Sequence, residues 1–132
     1  MPALERLRGL RVVADPGALD SARWTPLVAD REVLVLRLAP DDALAIGAAA
    51  VELDDVHAIV EVERGFVGAW CAVEDLVHHA EWSLPATRPA LAQGAIAGVP
   101  AKVWLPDGDR ALLVATNAAS ATLADRLGWG RP

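Results

Sequence analysis

Short apolar runs separated by turn-forming residues recur along the second half of this chain. Ala95–Leu105 and Arg110–Thr116 are rich in alanine, valine and leucine, and Pro106-Asp107-Gly108-Asp109 separates them. Proline, aspartate and glycine in succession favour a reverse turn, so the two runs are expected to pair as an antiparallel hairpin. Pro100 interrupts the first run and indicates an edge position or a bulge, because proline cannot donate a ladder hydrogen bond.

A second pair of apolar runs is also separated by turn-forming residues. His57–Glu63 and Phe66–Ala72 lie on either side of Arg64-Gly65. Apolar residues alternate with Glu61 and Glu63 in the first of them, so these glutamates are expected to point outward from a strand. The short connection predicts that the two runs pair with each other as a second hairpin.

Two further strands are predicted before these hairpins. Glu32–Leu38 is the clearest strand of the sequence, since its β-branched residues are interleaved with leucine. The turn Pro40-Asp41-Asp42 follows it, and Ala43–Gly47 is a second candidate strand. Ala48–Asp55 fits a helix or a loop.

Two helices are predicted after the hairpins. Val73–Glu81 has one apolar stripe, acidic residues in its first turn and two histidines in its last, which complements the helix dipole. Ala118–Leu127 is the second helix, with Asn117 as its N-cap and Gly128 as its end.

This order of elements predicts an α+β fold. Helices that follow antiparallel hairpins are typical of that class, and we expect an antiparallel sheet built from hairpins with two helices packed on one face. Residues 1–31 are poorly periodic and are expected to form an N-terminal arm or cover. Residues 32–132 are expected to form a single α+β domain.

Composition excludes several functional classes. The net charge of −6, without a basic cluster, argues against nucleic-acid binding. The longest uncharged stretch, Ala111–Ala124, contains several polar residues and is too short for a membrane-spanning helix. The chain has one cysteine, which excludes a disulfide scaffold and indicates a reducing compartment, so we expect a cytoplasmic protein.

The order and spacing of these segments resemble a known family. The segments are LAPDDALAIG (38–47), AIVEVERGFVGAWCAVEDLVHH (58–79), Trp82-Ser83-Leu84, RPALAQGAIAGVPAKVWL (88–105) and RALLVATNAASATLADRL (110–127). Together they resemble the gamma subunit of heterotetrameric sarcosine oxidases and, more distantly, the folate-binding domains of the glycine-cleavage T-protein family. The resemblance covers about residues 32–128.

The resemblance implies a non-catalytic accessory subunit that acts by protein–protein contact. The chain would have no catalytic activity of its own, although it would belong to an oxidoreductase complex. It would bind no cofactor, since flavin and folate would belong to a partner chain. Its partner would be a larger flavoprotein subunit or a second copy of itself. The alternative is a small domain that binds a folate-like ligand, as in the aminomethyltransferase family.

One polar cluster contains residue types that can bind a metal ion. Glu74 and His78 are four residues apart and share a helix face, and His57 is a third candidate ligand. Helix-dipole complementarity and i, i+4 pairing also explain Glu74 and His78 without a metal. We therefore expect no metal site and no catalytic residues. Cys71 lies in an apolar run and is expected to be a buried structural thiol.

Five of the six aromatic residues are tryptophans, and the chain has a single lysine. Interfaces are enriched in aromatic anchors and depleted of lysine. Most of the tryptophans are expected in the core. Trp82 and Trp129 lie outside regular elements and, with Arg88 and Gln93, are expected to form a patch that faces a partner or a ligand.

Overall fold

A computed structural model describes residues 2–130 of the chain. Strands dominate this range and the α-helices are short, which confirms the α+β class. The strands are β1 (Glu5–Arg6), β2 (Gly9–Val13), β3 (Arg23–Pro26), β4 (Leu34–Ala39), β5 (Asp42–Ile46), β6 (Ala48–Glu52), β7 (Ile59–Glu63), β8 (Phe66–Ala72), β9 (Ala90–Ile96), β10 (Val99–Leu105) and β11 (Arg110–Thr116). The helices are α1 (Pro16–Asp20), α2 (Val73–Val77) and α3 (Ser120–Leu127).

The described residues form two compact units. The first unit contains the residues up to Arg6 and those from Gly65 onward, with antiparallel strands in the order β1-β8-β11-β10-β9. The second unit contains Leu7–Arg64, with a four-stranded sheet in the order β4-β5-β2-β7 and a ribbon of β3 and β6. This division does not coincide with the predicted boundary after residue 31, because β2, α1 and β3 lie in the same unit as β4–β7.

The hairpin predicted for His57–Glu63 and Phe66–Ala72 does not form, and the antiparallel strands are divided among more than one sheet. β7 pairs with β2, whereas β8 pairs with β11 and β1. All of β8 pairs with β11 instead, and just past this ladder the carbonyl oxygen of Gly65 accepts a hydrogen bond of 2.7 Å from the backbone N–H of Asn117. This bond ties the start of β8 to the end of β11, and the chain leaves one sheet and enters another at this point.

The run Ala95–Leu105 is not one strand but parts of two. β9 and β10 are joined by Ala97 and Gly98, whose φ angles are 51° and 76°. Two positive φ angles in succession are typical of the two-residue turns that join antiparallel strands. The backbone N–H of Ala97 donates to the carbonyl oxygen of His79 and Nη1 of Arg126 donates to the carbonyl oxygen of Ala97, both at 2.7 Å. These bonds hold the turn although alanine disfavours the left-handed region.

Pro100 lies in an interior strand rather than at the expected edge. β10 has β9 on one side and β11 on the other. Pro100 is opposite Ala95 of β9, but the pairing of β10 with β11 spans only Lys102–Trp104. The proline is accommodated because it lies beyond the stretch of β10 that pairs on both sides.

Both predicted helices pack on the same face of the five-stranded sheet. Leu76 of α2 and Leu123 of α3 are fully buried in one cluster with alternate residues of β8, β10 and β11. α2 ends at Val77 rather than at Glu81. The N–H of His79 bonds three residues back to Leu76, and the His79 carbonyl is used by the turn between β9 and β10.

α3 begins two residues later than predicted. Asn117–Ala119 form a 3-10 turn, and the α-helix starts at Ser120 without a side-chain cap. Asn117 is therefore not its N-cap. Gly128 follows the last helical residue with a φ of 72°, which confirms the predicted glycine end of the helix.

The four-stranded sheet of the second unit has a core on one face, and on the other an ion pair beside the buried Leu36 and Leu44. The core residues are small or aliphatic: Leu10, Val12, Ala14, Leu19, Ala43, Ala45 and Ala48. On the opposite face, Nε and Nη2 of Arg11 bind the two carboxylate oxygens of Asp42 at 2.5 and 2.6 Å. This bidentate pair joins β2 to β5 and raises the pKa of Arg11, mainly through the hydrogen bonds to Asp42.

Candidate interaction surface

β7 forms one edge of the four-stranded sheet. β2 pairs with one side of it, and no strand within residues 2–130 pairs with the other. The register runs without a shift from Ile59 opposite Val13 to Glu63 opposite Gly9. We refer to the outer side of Ile59–Glu63 as the β7 edge. A regular edge of this kind presents backbone N–H and C=O groups that can pair with another chain.

Large apolar side chains are exposed along the β7 edge. Ile59, Val60 and Val62 are 56%, 44% and 67% exposed, and Val56, just before the strand, is 93% exposed. A strand with one buried face alternates buried and exposed side chains, but β7 has none in the buried class. The β7 edge is therefore an apolar surface in the described structure and contributes little to the core.

The exposed side chains of β7 lie on both faces of the sheet. Val60 and Val62 share a face with their buried partners in β2, Val12 and Leu10. Ile59 lies on the opposite face, beside Val13, which is 38% exposed. A partner that covers this edge would therefore bury apolar surface above and below the plane of the sheet.

The same edge carries two carboxylates at alternate positions. Glu61 and Glu63 lie on the face of Ile59, opposite Arg11 and Gly9 of β2. Nη1 of Arg11 lies 3.9 Å from Oε1 of Glu63, so this guanidinium faces carboxylates on both neighbouring strands. Glu61 is exposed. The β7 edge is therefore apolar on one face and partly acidic on the other.

Sequence reasoning found this strand and its outward glutamates but missed its exposed apolar residues. The alternation implied that Val60 and Val62 point into a core, as they would in an interior strand. The available signal was the pair Ile59-Val60, because consecutive residues of a strand point to opposite faces. An edge cannot be recognised from that pair alone, since interior strands contain such pairs too.

The four residues of the predicted patch do not form one exposed surface. Trp82 and Trp129 both pack against the core cluster of the first unit. Nε1 of Trp82 donates to the carbonyl oxygen of Ala95 at 2.7 Å. Nη1 of Arg88 donates to the carbonyl oxygen of Gly108 at 2.9 Å. Gln93 is exposed on the other face of the sheet, opposite Lys102.

A different tryptophan is the most exposed one. Trp70 of β8 is 45% exposed, on the face of the five-stranded sheet that points away from the core cluster. Its neighbours Ala69 and Cys71 are buried. The alternation of β8 could have indicated this orientation, but the segment is apolar throughout and gives no sign of which face is covered.

The weak metal-ligand candidates lie in different parts of the chain. Glu74 is in the first turn of α2 and His78 is the residue that ends it, both in the first unit. His57 is in the second unit, where its backbone N–H donates to Oδ1 of Asp55 at 2.9 Å. Asp55 also accepts the backbone N–H of Asp15, and these two bonds lower its pKa. Within residues 2–130, no three histidine, cysteine or acidic side chains form a group that could hold a metal ion.

Cys71 is buried, as predicted. Its side chain belongs to the core cluster, and Sγ lies 3.7 Å from the carbonyl oxygen of Ala111. Burial raises the pKa of this thiol to about 11, with a further contribution from Asp75. At neutral pH the thiol is protonated, which makes it a poor nucleophile.

A shallow groove of about 290 Å³ crosses the exposed face of the five-stranded sheet. Gln93, Lys102 and Thr116 supply its polar side chains, and Ala95 and Pro100 are among its apolar ones. The ammonium group of Lys102 lies 5.4 Å from the ring centre of Phe66, within the range of a cation–π contact. The groove is therefore lined by one cation, two neutral polar side chains and several apolar residues.

Neither protein families nor curated proteins gave a relative of this chain. No protein-family model matches the chain, and a search of curated proteins found no significant match. None of the helices within residues 2–130 is long and apolar enough to cross a membrane.

Proposed function

We propose that this chain is a non-catalytic accessory subunit that binds a larger protein through the β7 edge. The observation that carries the proposal is the exposure of Ile59, Val60 and Val62 on a regular, unshifted edge strand. Natural proteins usually protect such edges with charges, prolines, bulges or a covering segment. On β7 this protection is partial, because the charged side chains of Glu61 and Glu63 lie on only one face of the strand.

The resemblance to the gamma subunit of sarcosine oxidases supports the same proposal. In that family the larger chains hold the flavin and the folate, and the small chain acts by contact. The first partner to test is therefore a larger flavoprotein subunit, with a second copy of this chain as the alternative occupant.

Site-specific photocrosslinking in extracts of the native host tests this function. A photoreactive benzoylphenylalanine replaces Ile59 or Val62 on the β7 edge in two separate variants. The matched control replaces Val77, which is 52% exposed on α2. We expect the same partner to be crosslinked from both edge positions and not from the control position.

The captured protein must then be purified and bound directly. Wild-type chain should form a complex of defined stoichiometry with it, and Val62→Lys should weaken that complex at least tenfold, because a charge would be buried unpaired. Flavin absorbance in the partner would support the flavoprotein subunit in particular. Equal crosslinking from positions 62 and 77, or unchanged binding of Val62→Lys, would overturn the proposed function.

The groove on the five-stranded sheet favours the second candidate, a domain that binds a folate-like ligand. Lys102 would pair with a carboxylate of the ligand, and Gln93 and Thr116 would offer hydrogen bonds. Trp104 lies on the same strand face as Lys102, two residues further along β10. Its fluorescence is a convenient reporter of binding.

Titration with tetrahydrofolate tests this candidate. If the groove binds the ligand, tryptophan fluorescence should be quenched in a saturable way, and Lys102→Gln should weaken the response. The control is Arg23→Gln, because this exposed arginine lies in the second unit. A flat titration of the wild-type chain would remove the candidate.

A further inference from the structure

We infer that the β7 edge accepts one antiparallel strand of its partner, and that this strand carries basic residues at alternate positions. The inference rests on the proposed function and specifies the chemistry of the partner. Its mode is main-chain pairing, in which an extended segment adds a strand to an open sheet edge. Four features of β7 and its surroundings lead to it.

The backbone of β7 is regular enough for another strand to pair with it. All five residues are in register with β2 and none is displaced by a bulge. The strand contains no proline, so every residue retains its N–H. Within residues 2–130, no other strand lies on the outer side. An added strand would therefore find a regular ladder across its whole length.

The apolar face of the edge selects alternate side chains of the incoming strand. Val60 and Val62 point to the face where the core of the second unit lies. Side chains placed opposite them would lie about 4.5–5.5 Å away between Cβ atoms. β-Branched residues at these two positions would cover valine surface that is 44% and 67% exposed.

The acidic face selects the residues between them. Glu61 and Glu63 alternate with the two valines, so a partner strand places two side chains opposite them on the same face. Lysine or arginine at those positions would form cross-strand ion pairs, whereas acidic residues would repel. In antiparallel order, the complementary segment reads basic, β-branched, basic, β-branched, apolar from its N-terminus.

The same charges disfavour a second copy as the occupant. The antiparallel register that pairs all five residues of two β7 strands sets Glu61 opposite Glu61 of the other copy. Like charges directly opposite each other destabilise a strand pair. Each copy also has a net charge of −6, so association of two copies brings charge of one sign together.

Synthetic peptides test the inference with the intact chain. The test peptide is Thr-Lys-Val-Lys-Val-Ile-Thr, capped at both ends, and the matched peptide has glutamate in place of both lysines. We expect the basic peptide to bind about tenfold more tightly, because two cross-strand attractions replace two repulsions. Calorimetry gives both dissociation constants, and amide chemical shifts should change in Ile59–Glu63.

Backbone methylation separates main-chain pairing from simple charge attraction. Two versions of the basic peptide carry N-methyl groups, one on its odd-numbered and one on its even-numbered residues. Only one set of N–H groups faces β7 in a ladder. We expect one version to lose binding at least tenfold and the other to keep it. Equal binding of both versions would overturn the strand-addition mode.

Reversing the charge of Glu61 tests whether this residue causes the preference for the basic peptide. Glu61→Lys should reduce the preference for the basic peptide to about threefold or less, whereas Glu81→Lys, an exposed acidic residue near the end of α2, should leave it unchanged. Dimerisation of the chain through crosslinks at Val62 would overturn the inference in favour of a second copy. Failure of every peptide, with partner crosslinking at Val62 still observed, would reject the inference and leave the proposed function standing.

Discussion

The buried thiol of Cys71 makes the stability of the first unit depend on pH. Burial raises the pKa of the folded thiol to about 11 from an ordinary value of 9.0. The folded state therefore favours the protonated thiol. The stability that the Cys71 thiol contributes is fully present below pH 9 and is lost as the pH rises from about 9 to 11.

We predict that the free energy of unfolding falls by up to about 2 kcal/mol between pH 9 and 11 because of this thiol. Urea unfolding of the wild type and of Cys71→Ala at several pH values measures the effect. Other groups also titrate in this range, so the difference between the two curves is the informative quantity. Parallel curves would contradict the prediction.

The contact between Gly94 and Trp82 explains why one tryptophan of the predicted patch is part of the core. A Cβ atom at Gly94 would lie 2.7 Å from Cε2 of the indole, so only glycine allows the ring to approach β9 this closely. Trp82 belongs to no periodic element of the sequence, and nothing local shows that a glycine twelve residues later makes room for it. Its placement depends on a contact that sequence spacing does not reveal.

The turn between β9 and β10 has a residue that fits its backbone poorly. Ala97 has a φ of 51°, whereas asparagine adopts this region readily and Asn-Gly is the preferred pair for such turns. We predict that Ala97→Asn stabilises the chain by about 0.5–1 kcal/mol, since the backbone hydrogen bonds of residue 97 are retained.

Urea unfolding checks this prediction, with Ala95→Asn as the control. Ala95 is exposed in the extended part of β9, where asparagine is disfavoured. We expect the control to be less stable than the wild type and Ala97→Asn to be more stable. A loss of stability in both variants would contradict the prediction, because it would show that the backbone conformation of Ala97 does not reduce the stability of the wild-type chain.

The turns also explain how much of the fold could be predicted from sequence. Pro106-Asp107-Gly108-Asp109 is a strong local signal, and the hairpin of β10 and β11 was predicted correctly from it. Arg64-Gly65 resembles a hairpin turn in length, but β8 pairs along its whole length with β11 and not with β7. Local residues specify that the chain turns, whereas distant ones decide which strand it meets. The β7 edge was missed for the same reason.

The first unit is assembled from segments far apart in sequence. β1 pairs with β8, and the N–H of Leu4 donates to the carbonyl oxygen of Gly130 at 2.8 Å. The side chain of Leu4 is 1% exposed and belongs to the core cluster of this unit. The N-terminal residues thus act as part of a sheet and not only as a cover.

We predict that Leu4→Ala destabilises the first unit by about 2–4 kcal/mol, the usual cost of removing a buried leucine side chain. In this variant, the amide hydrogens of β8 and β11 should exchange faster than in the wild type, whereas those of β2 and β5 should change less. The control is Leu7→Ala, because Leu7 is only partly buried and lies in the second unit. A uniform loss of protection in both units would contradict the prediction.

The way in which the first unit encloses Leu7–Arg64 in sequence has a consequence for synthesis on the ribosome. All residues of the four-stranded sheet emerge before any residue of β8, whereas the five-stranded sheet must wait for β11. The β7 edge can therefore be complete while the rest of the chain is still being made. A partner that pairs with this edge could join the nascent chain, and its arrival would cover exposed valines during the period when aggregation is most damaging.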